Sequence, residues 1–258
     1  MNQEPAGDAG NEVLTEVRGR VLVITLNRPA AVNAIDTALV AGLGAAVERL
    51  DTSDDLAVGI LTGGPTAFCS GMDLKAFAKV GLPKGLHEFY ANGSRKPLIA
   101  ALEGPVLAGG FELALTCDIM VASATAKFGI PEVKVGLFAA GGGLIRLPRR
   151  VGHGMAMELA MTGDQIDAPT AYRIGLVNHL TEAGRSLEKA LEIADRVARN
   201  APLSVAASKE LIQAQHNHTE EAFWALQRPL IRTVFRSEDA KEGPRAFAQK
   251  RSPRWQGR

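Results

Sequence analysis

The stretch LAGGFELALTCDIMVA, Leu107 to Ala122, decides how this chain is read. It is apolar or small almost throughout, interrupted by Glu112, Thr116 and Asp118. Glu112 follows the Gly109–Gly110 pair by two residues, at the start of a segment whose composition marks it as buried. An ionised carboxylate in apolar surroundings is costly unless it is paired, hydrogen-bonded or protonated. Glu112 therefore needs a structural partner or a task.

Working outward, buried strands alternate with helices. VLVITLNRP (Val21 to Pro29) is an apolar, β-branched run ended by proline and predicts a strand. Asp36 then caps a helix over 37–50. LAVGILTGG (Leu56 to Gly64) and KPLIAALEGPV (Lys96 to Val106) predict further buried strands, and CDIMVAS (117–123) and AKFGIP (126–131) shorter ones. A short helix falls near Asp73 to Lys79, and the Gly-rich polar residues 80–95 read as a mobile connection. This order predicts an α/β fold with a sheet buried on both faces. Beyond residue 145 there is little strand except GLVNHL (175–180). Leu187, Leu191, Ala194 and Val197 share one helical face, and PLSVAASKELIQAQ and 220–235 also read as helical. The chain divides near 180–200 into an α/β core and a helical C-terminal part.

The bulk numbers narrow the function classes. At roughly 150 residues per domain, 258 residues predict one or two domains, and 46% hydrophobic with 22% charged residues supplies an ordinary core. A net charge of +1 gives no electrostatic footprint for nucleic acid or an anionic membrane. Cys69 and Cys117 have no CxxC spacing, so neither a disulfide framework nor a zinc site is implied, and a reducing cytoplasm fits. The acidic, polar start lacks a secretory or transit pattern, and no apolar run reaches the ~18 residues of a membrane span.

Two loops invite chemistry. FCSGMDLKAF (Phe68 to Phe77) and AGGFEL (Ala108 to Leu113) each follow a strand with a glycine turn and then a helix start. Free N–H groups at such places can hold a developing oxyanion, although a glycine turn alone is a weak signal and reads equally as a plain turn. Glu112 and Glu132, the latter in KFGIPEVKVGL just after Pro131, lie 20 residues apart. Two carboxylates converging on one pocket can share a water and do acid and base work. The plainer alternative is that each favours a helix N-terminus electrostatically. AAGGGL (139–144) lacks the GK[ST] of a phosphate loop and reads as room for a close helix approach. His216 and His218 are two apart on a surface and do not read as metal ligands, and Cys69 reads as a small buried residue rather than a nucleophile. The basic end QKRSPRWQGR is a solvated tail or a contact for an anionic ligand.

FCSGMDLKAF, GPVLAGGFELALTCDIMVA, KFGIPEVKVGL and SEDAKEGPRAFAQKRSPRW occur in this order, and together they resemble the crotonase (enoyl-CoA hydratase/isomerase) family from about residue 12 to the C-terminus. The GMDLKAF loop and the C-terminal run are similar to the carnitinyl-CoA dehydratase branch and actinobacterial hydratases. The resemblance implies a spiral of ββα units over 12–195 and a helical trimerisation region over 196–258, after a disordered 1–11. It implies a homotrimer or dimer of trimers acting on acyl-CoA, without metal or other cofactor, nucleic acid or membrane. The implied oxyanion donors are the N–H groups of Met72 and Gly109, and the implied catalytic pair is Glu112 and Glu132. Looser matches imply CoA or substrate contacts at Arg28, Val32, Ala34, Ser70, Asp73 and Leu74, with Phe247 and Lys250 reaching a neighbouring subunit's CoA. Where family members often carry Lys after Arg-Pro this chain has Ala30. Keeping both glutamates favours water addition to an enoyl-CoA. The alternatives are dehydration of a carnitinyl-CoA-like substrate and a scaffold that binds acyl-CoA without catalysis.

Overall fold

The computed structural model describes residues 11–258, so residues 1–10 of the expected disordered start lie outside it. β1 (Val13–Arg18) and β2 (Val21–Leu26) form an antiparallel hairpin through Gly19. β1 is a largely exposed edge strand without a buried run to announce it, whereas β2 is buried from Val21 to Ile24. The Asp36 carboxylate accepts from Leu39 N at 2.9 Å and starts α1 (Thr37–Thr52), as expected of this cap. β3 (Val58–Thr62) is wholly buried and parallel to β2.

Residues 80–95 are not simply a mobile connection. After α2 (Leu74–Val80), α3 (Leu86–Asn92) buries Leu86, Phe89 and Tyr90 against the core. KPLIAALEGPV is likewise two strands rather than one. β4 (Leu98–Leu102) stays in the main sheet, the chain turns at Gly104, and β5 (Pro105–Leu107) enters a second sheet. Gly104 takes φ +55°, and a Cβ there would stand 2.1 Å from Thr66 O, so the turn admits no side chain.

α4 (Gly109–Thr116), β6 (Ile119–Ser123) and β7 (Lys127–Gly129) follow, then a 3₁₀ turn over Pro131–Val135 with the proline opening it. Next come α5 (Gly143–Val151), α6 (His153–Thr162), β8 (Ile166–Asp167), α7 (Ala168–Arg173) and β9 (His179–Thr181), the last shorter than the GLVNHL reading. The chain ends in α8 (Ser186–Ala198), α9 (Pro202–Ala214), α10 (Glu220–Arg236) and α11 (Glu238–Ala248). The main sheet runs β1-β2-β3-β4-β6-β9, parallel from β2 onward, and the second sheet runs β5-β7-β8.

Alternate residues of the main sheet face two apolar layers. Leu22, Ile24, Leu61, Ala100 and Met120 join the larger core with α1, α3 and α4. Val21, Val23, Val58, Ile60, Ile99, Ala101 and Val121 meet Ala190, Ile193 and Ala194 of α8. The predicted apolar face of α8 thus covers the back of the sheet, which gives the two-sided burial that the apolar strands imply. Buried Glu103 fixes the start of α8, with Oε1 accepting from Ser186 N at 3.1 Å and Ser186 Oγ at 2.6 Å. Farther on, Lys209 of α9 donates to Asp118 Oδ2 at 2.8 Å and to Lys96 O at 2.8 Å. That pair joins the C-terminal helices to the sheet.

Candidate active site

Two loops meet where β3 and β5 end. Gly71 takes φ +102°, and a Cβ on it would lie 2.7 Å from Ala108 Cβ and 3.4 Å from Gly109 N. The backbones touch because residue 71 has no side chain. A Cβ on Gly109 would in turn lie 3.9 Å from Met72 N. Ile35 bonds to both neighbours of Met72, donating to Gly71 O at 2.8 Å and accepting from Asp73 N at 2.9 Å. In that parallel bridge the N–H of Met72 itself points away from Ile35. Gly109 is the first residue of α4, where an N–H has no partner within the helix. The two expected donors are therefore adjacent, and neither has a hydrogen-bond acceptor among the described residues. Ala108, between β5 and α4, holds φ +50° and ψ −130°, a conformation that strains any residue with a side chain.

Glu112 lies in the first turn of α4, only 4% exposed. Its Oε1 accepts from Gly143 N at 2.9 Å. A Cβ on Gly141 would stand 2.7 Å from Glu112 Oε2, and one on Gly143 would stand 3.0 Å from Oε1. The AAGGGL run is thus the cradle of the carboxylate, a role the sequence reading did not give it. Burial pushes the Glu112 carboxyl up to about 7, the Gly143 N–H opposes this, and the Glu132 charge pushes it further up. Glu132, in the 3₁₀ turn, is also raised by burial, and its Oε2 is buried with no hydrogen-bond partner among the described residues. Glu103, more deeply buried than Glu132, has its oxygens taken by donors from 184 and 186. A structural carboxylate here is satisfied, and Glu132 is not.

The remaining candidates divide into two groups. Ser70, Asp73 and Leu74 flank Met72, and Val32 is joined to this loop because Ser70 N donates to its carbonyl at 3.0 Å. Arg28 sits at the same loop, but its guanidinium is engaged. It donates to Ala34 O, and pairs with Asp73 at 3.2 Å and Asp36 at 3.1 Å. It ties the 28–36 loop to the 70–74 loop, and Asp73 both accepts from it and caps α2. Buried Asn33 supports the same loop by donating to Gly63 O at 2.8 Å and Ala67 O at 3.0 Å. Phe247 and Lys250 stand apart at the end of α11, with Phe247 86% exposed. Cys69 is a packing residue, its thiol donating to Asn33 O at 3.0 Å and pushed by burial up to about 12.

Beside the carboxylates lies an apolar cleft of about 420 Å³, lined by residues that include Val133, Phe138, Leu144, Met157 and Met161. Ala139, which also lines it, would be 3.3 Å from a Cβ on Gly143, so the cleft borders the Glu112 cradle. Phe138 reaches this cleft, while Phe89 and Tyr90 are buried in the core.

Two adjacent unpaired N–H groups beside two raised carboxylates can hold an enolate and move protons next to it. The enoyl-CoA hydratase/isomerase family profile matches residues 16–258. This chain belongs to the enoyl-CoA hydratase/isomerase family. Enoyl-CoA hydratase EchA19 of Mycobacterium tuberculosis is 41% identical, over 97% of this chain and 98% of the relative. Carnitinyl-CoA dehydratase of Proteus mirabilis is also 41% identical, over 93% of this chain and 97% of its own length. The crystal structure of an enoyl-CoA hydratase from M. tuberculosis superposes with a TM-score of 0.92 at 49% identity, covering 96% of this chain and 99% of that one. The crotonase-like fold expected from the motifs is therefore the fold of this chain.

Proposed function

We propose that the protein is an enoyl-CoA hydratase, adding water across the α,β double bond of a 2-enoyl-CoA thioester. The observation that carries this reading is that Glu112 and Glu132 are both present and both raised by burial, that the charge of Glu132 acts on Glu112, and that Glu132 keeps a buried oxygen without a partner among the described residues. The thioester oxygen sits on the N–H groups of Met72 and Gly109. One glutamate, ionised, takes a proton from a water that attacks Cβ, and the other, protonated, delivers a proton to Cα. Negative charge passes through the thioester oxygen, where each donor contributes about 2.7–4 kcal/mol to lowering the barrier. Proton transfer and charge stabilisation are the whole of this chemistry, so the CoA thioester is the substrate and no cofactor takes part.

The apolar cleft bordering the carboxylates supports an uncharged acyl group over the cationic head of a carnitinyl-CoA-like substrate, which would call for acidic lining residues. Val32, Ala34, Ser70, Asp73 and Leu74 lie along the CoA path in this reading, with Phe247 and Lys250 completing the site of a neighbouring copy in a homotrimer or dimer of trimers. The location proposed is cytoplasmic; among the described residues no helix is long and apolar enough to cross a membrane. The test is a hydration assay on short, long, branched and steroid enoyl-CoAs with wild type and Glu132→Gln. Hydration of an apolar enoyl-CoA that the variant loses supports the reading. Absence of hydration across the panel, or an unaffected variant, overturns it.

A further inference from the structure

We propose that Tyr90 is a positioning residue that holds the oxyanion donor Gly109 and the Glu112 cradle in one fixed arrangement, an inference that rests on the hydratase reading. Tyr90 is 7% exposed on α3. Its Oη donates to Gly109 O at 3.0 Å. Gly109 has no side chain to limit its rotation, and a bond to its carbonyl fixes ψ there. That fixes the first turn of α4, and with it the direction of Glu112 three residues on. The ring packs on the opposite half of the machinery, since a Cβ on Gly141 would stand 2.5 Å from Tyr90 Cε2 and 2.7 Å from Glu112 Oε2. Ring and carboxylate thus bracket the same glycine. The Tyr90 carbonyl accepts from Arg146 Nη2, and Arg146 Nη1 reaches Gly141 O at 3.4 Å. One residue of α3, through its hydroxyl, ring and carbonyl, spans the loop that holds the thioester oxygen and the loop that aims the carboxylate. The charged or titratable groups around it are Glu112, Glu132, Cys69 and Arg146.

Tyr90→Phe keeps the ring and removes only the hydroxyl. In hydration of the preferred enoyl-CoA, kcat is expected to fall roughly 3- to 10-fold with KM within about 2-fold, as for one neutral hydrogen bond acting in the transition state. A second readout needs no turnover: the enolate of bound acetoacetyl-CoA absorbs in the near ultraviolet and reports the oxyanion donors directly, and its fraction is expected to fall in the variant. Arg146→Lys keeps the cation but loses the span between two carbonyls, and is expected to show the same split between kcat and KM; it decides the matter if Tyr90→Phe does not fold. A folded Tyr90→Phe protein with unchanged kcat and unchanged enolate fraction, or one altered only in melting temperature, overturns the proposal. Wild type that enolises acetoacetyl-CoA but hydrates no enoyl-CoA removes the hydratase reading, and the enolate comparison then decides the role of Tyr90. Wild type that does neither removes both.

Discussion

Glu112 Oε1 accepts from Gly143 N at 2.9 Å, so the start of α5 aims the carboxylate that begins α4. The link makes the glutamate a part of the fold as well as of the chemistry. Glu112→Gln keeps an oxygen for Gly143 yet cannot exchange a proton, and the same holds for Glu132→Gln beside its unpartnered oxygen. Each is expected to lower hydration by at least ~10²-fold, measured as kcat/KM on the preferred enoyl-CoA. A variant with most of its activity left would refute the shared-water mechanism.

Stability should move the other way. Glu112 titrates near 4.5 when unfolded and about 7 when folded. The folded chain therefore holds the proton more tightly, and stability falls as pH rises between those values. Glu112→Gln removes that loss, so its melting temperature relative to wild type should rise from pH 5 to pH 8. An equal difference at both pH values would show that the carboxylate is not strained by burial.

Backbone and side chain can be separated at position 72. Met72→Ala keeps the N–H and should alter substrate preference more than kcat. Met72→Pro deletes the donor and should cost about 10²–10³-fold in kcat. A folded Met72→Pro protein that binds CoA and turns over normally would remove position 72 from the oxyanion hole.

The Asp118–Lys209 pair has side chains only 22% and 9% exposed. Asp118→Ala strands the Lys209 ammonium and also frees Leu98 N and Gln213. We expect a loss of about 2–4 kcal/mol in denaturant unfolding. Replacing both partners by apolar residues should cost less than Asp118→Ala alone.

The last residues fold back along α11. Glu242 accepts from Arg251 Nη1 at 2.5 Å and Nη2 at 2.9 Å and from Arg254 N at 2.8 Å, while Asp239 accepts from Gln256 N at 2.6 Å. The hydrogen bonds from Arg251 hold the Glu242 carboxyl down at about 2, so this anchor is complete above pH 4.5 and is lost as pH falls toward 2. Arg251→Ala should expose the tail to limited proteolysis at pH 7. In the proposed function Phe247 and Lys250, which sit at this turn, complete a neighbouring copy's site, so the same variant should also weaken CoA binding. Protease resistance equal to wild type would show that the clamp does not hold the tail.

The placement of Glu112 and Glu132, and of the free N–H groups of Met72 and Gly109, is legible because each lies in a contiguous motif beside a glycine or proline. What escaped the sequence depends on contacts across the chain. The apolar spacing of Leu86, Phe89 and Tyr90 is helical, but seven residues between glycines are too short for periodicity to outweigh a loop signal. Arg28 was visible as a cation; Asp36 and Asp73, which engage it, lie 8 and 45 residues away and reach it only through folding. The glycines of 141–143 read locally as room for helix packing, because nothing local says that a carboxylate from α4 will sit against them. β1, an exposed edge strand, has no apolar run by which to read it. The helices over 143–173 are short and punctuated by glycine and proline, so their pattern is weak.

The contact between Gly71 and Ala108 also bears on how this sequence can change over time. A methyl group at 71 would stand 2.7 Å from the one already carried by 108, so only one of the two positions can hold a side chain. Replacement of Ala108 by glycine would open room at 71, yet a residue arriving there would still inherit φ +102°. The two sites are locked in an order of steps: 108 must change before a side chain at 71 finds room, and the left-handed backbone at 71 still favours glycine after that change. Lineages descending from this chain should therefore carry glycine at 71 long after the surrounding loop has diverged.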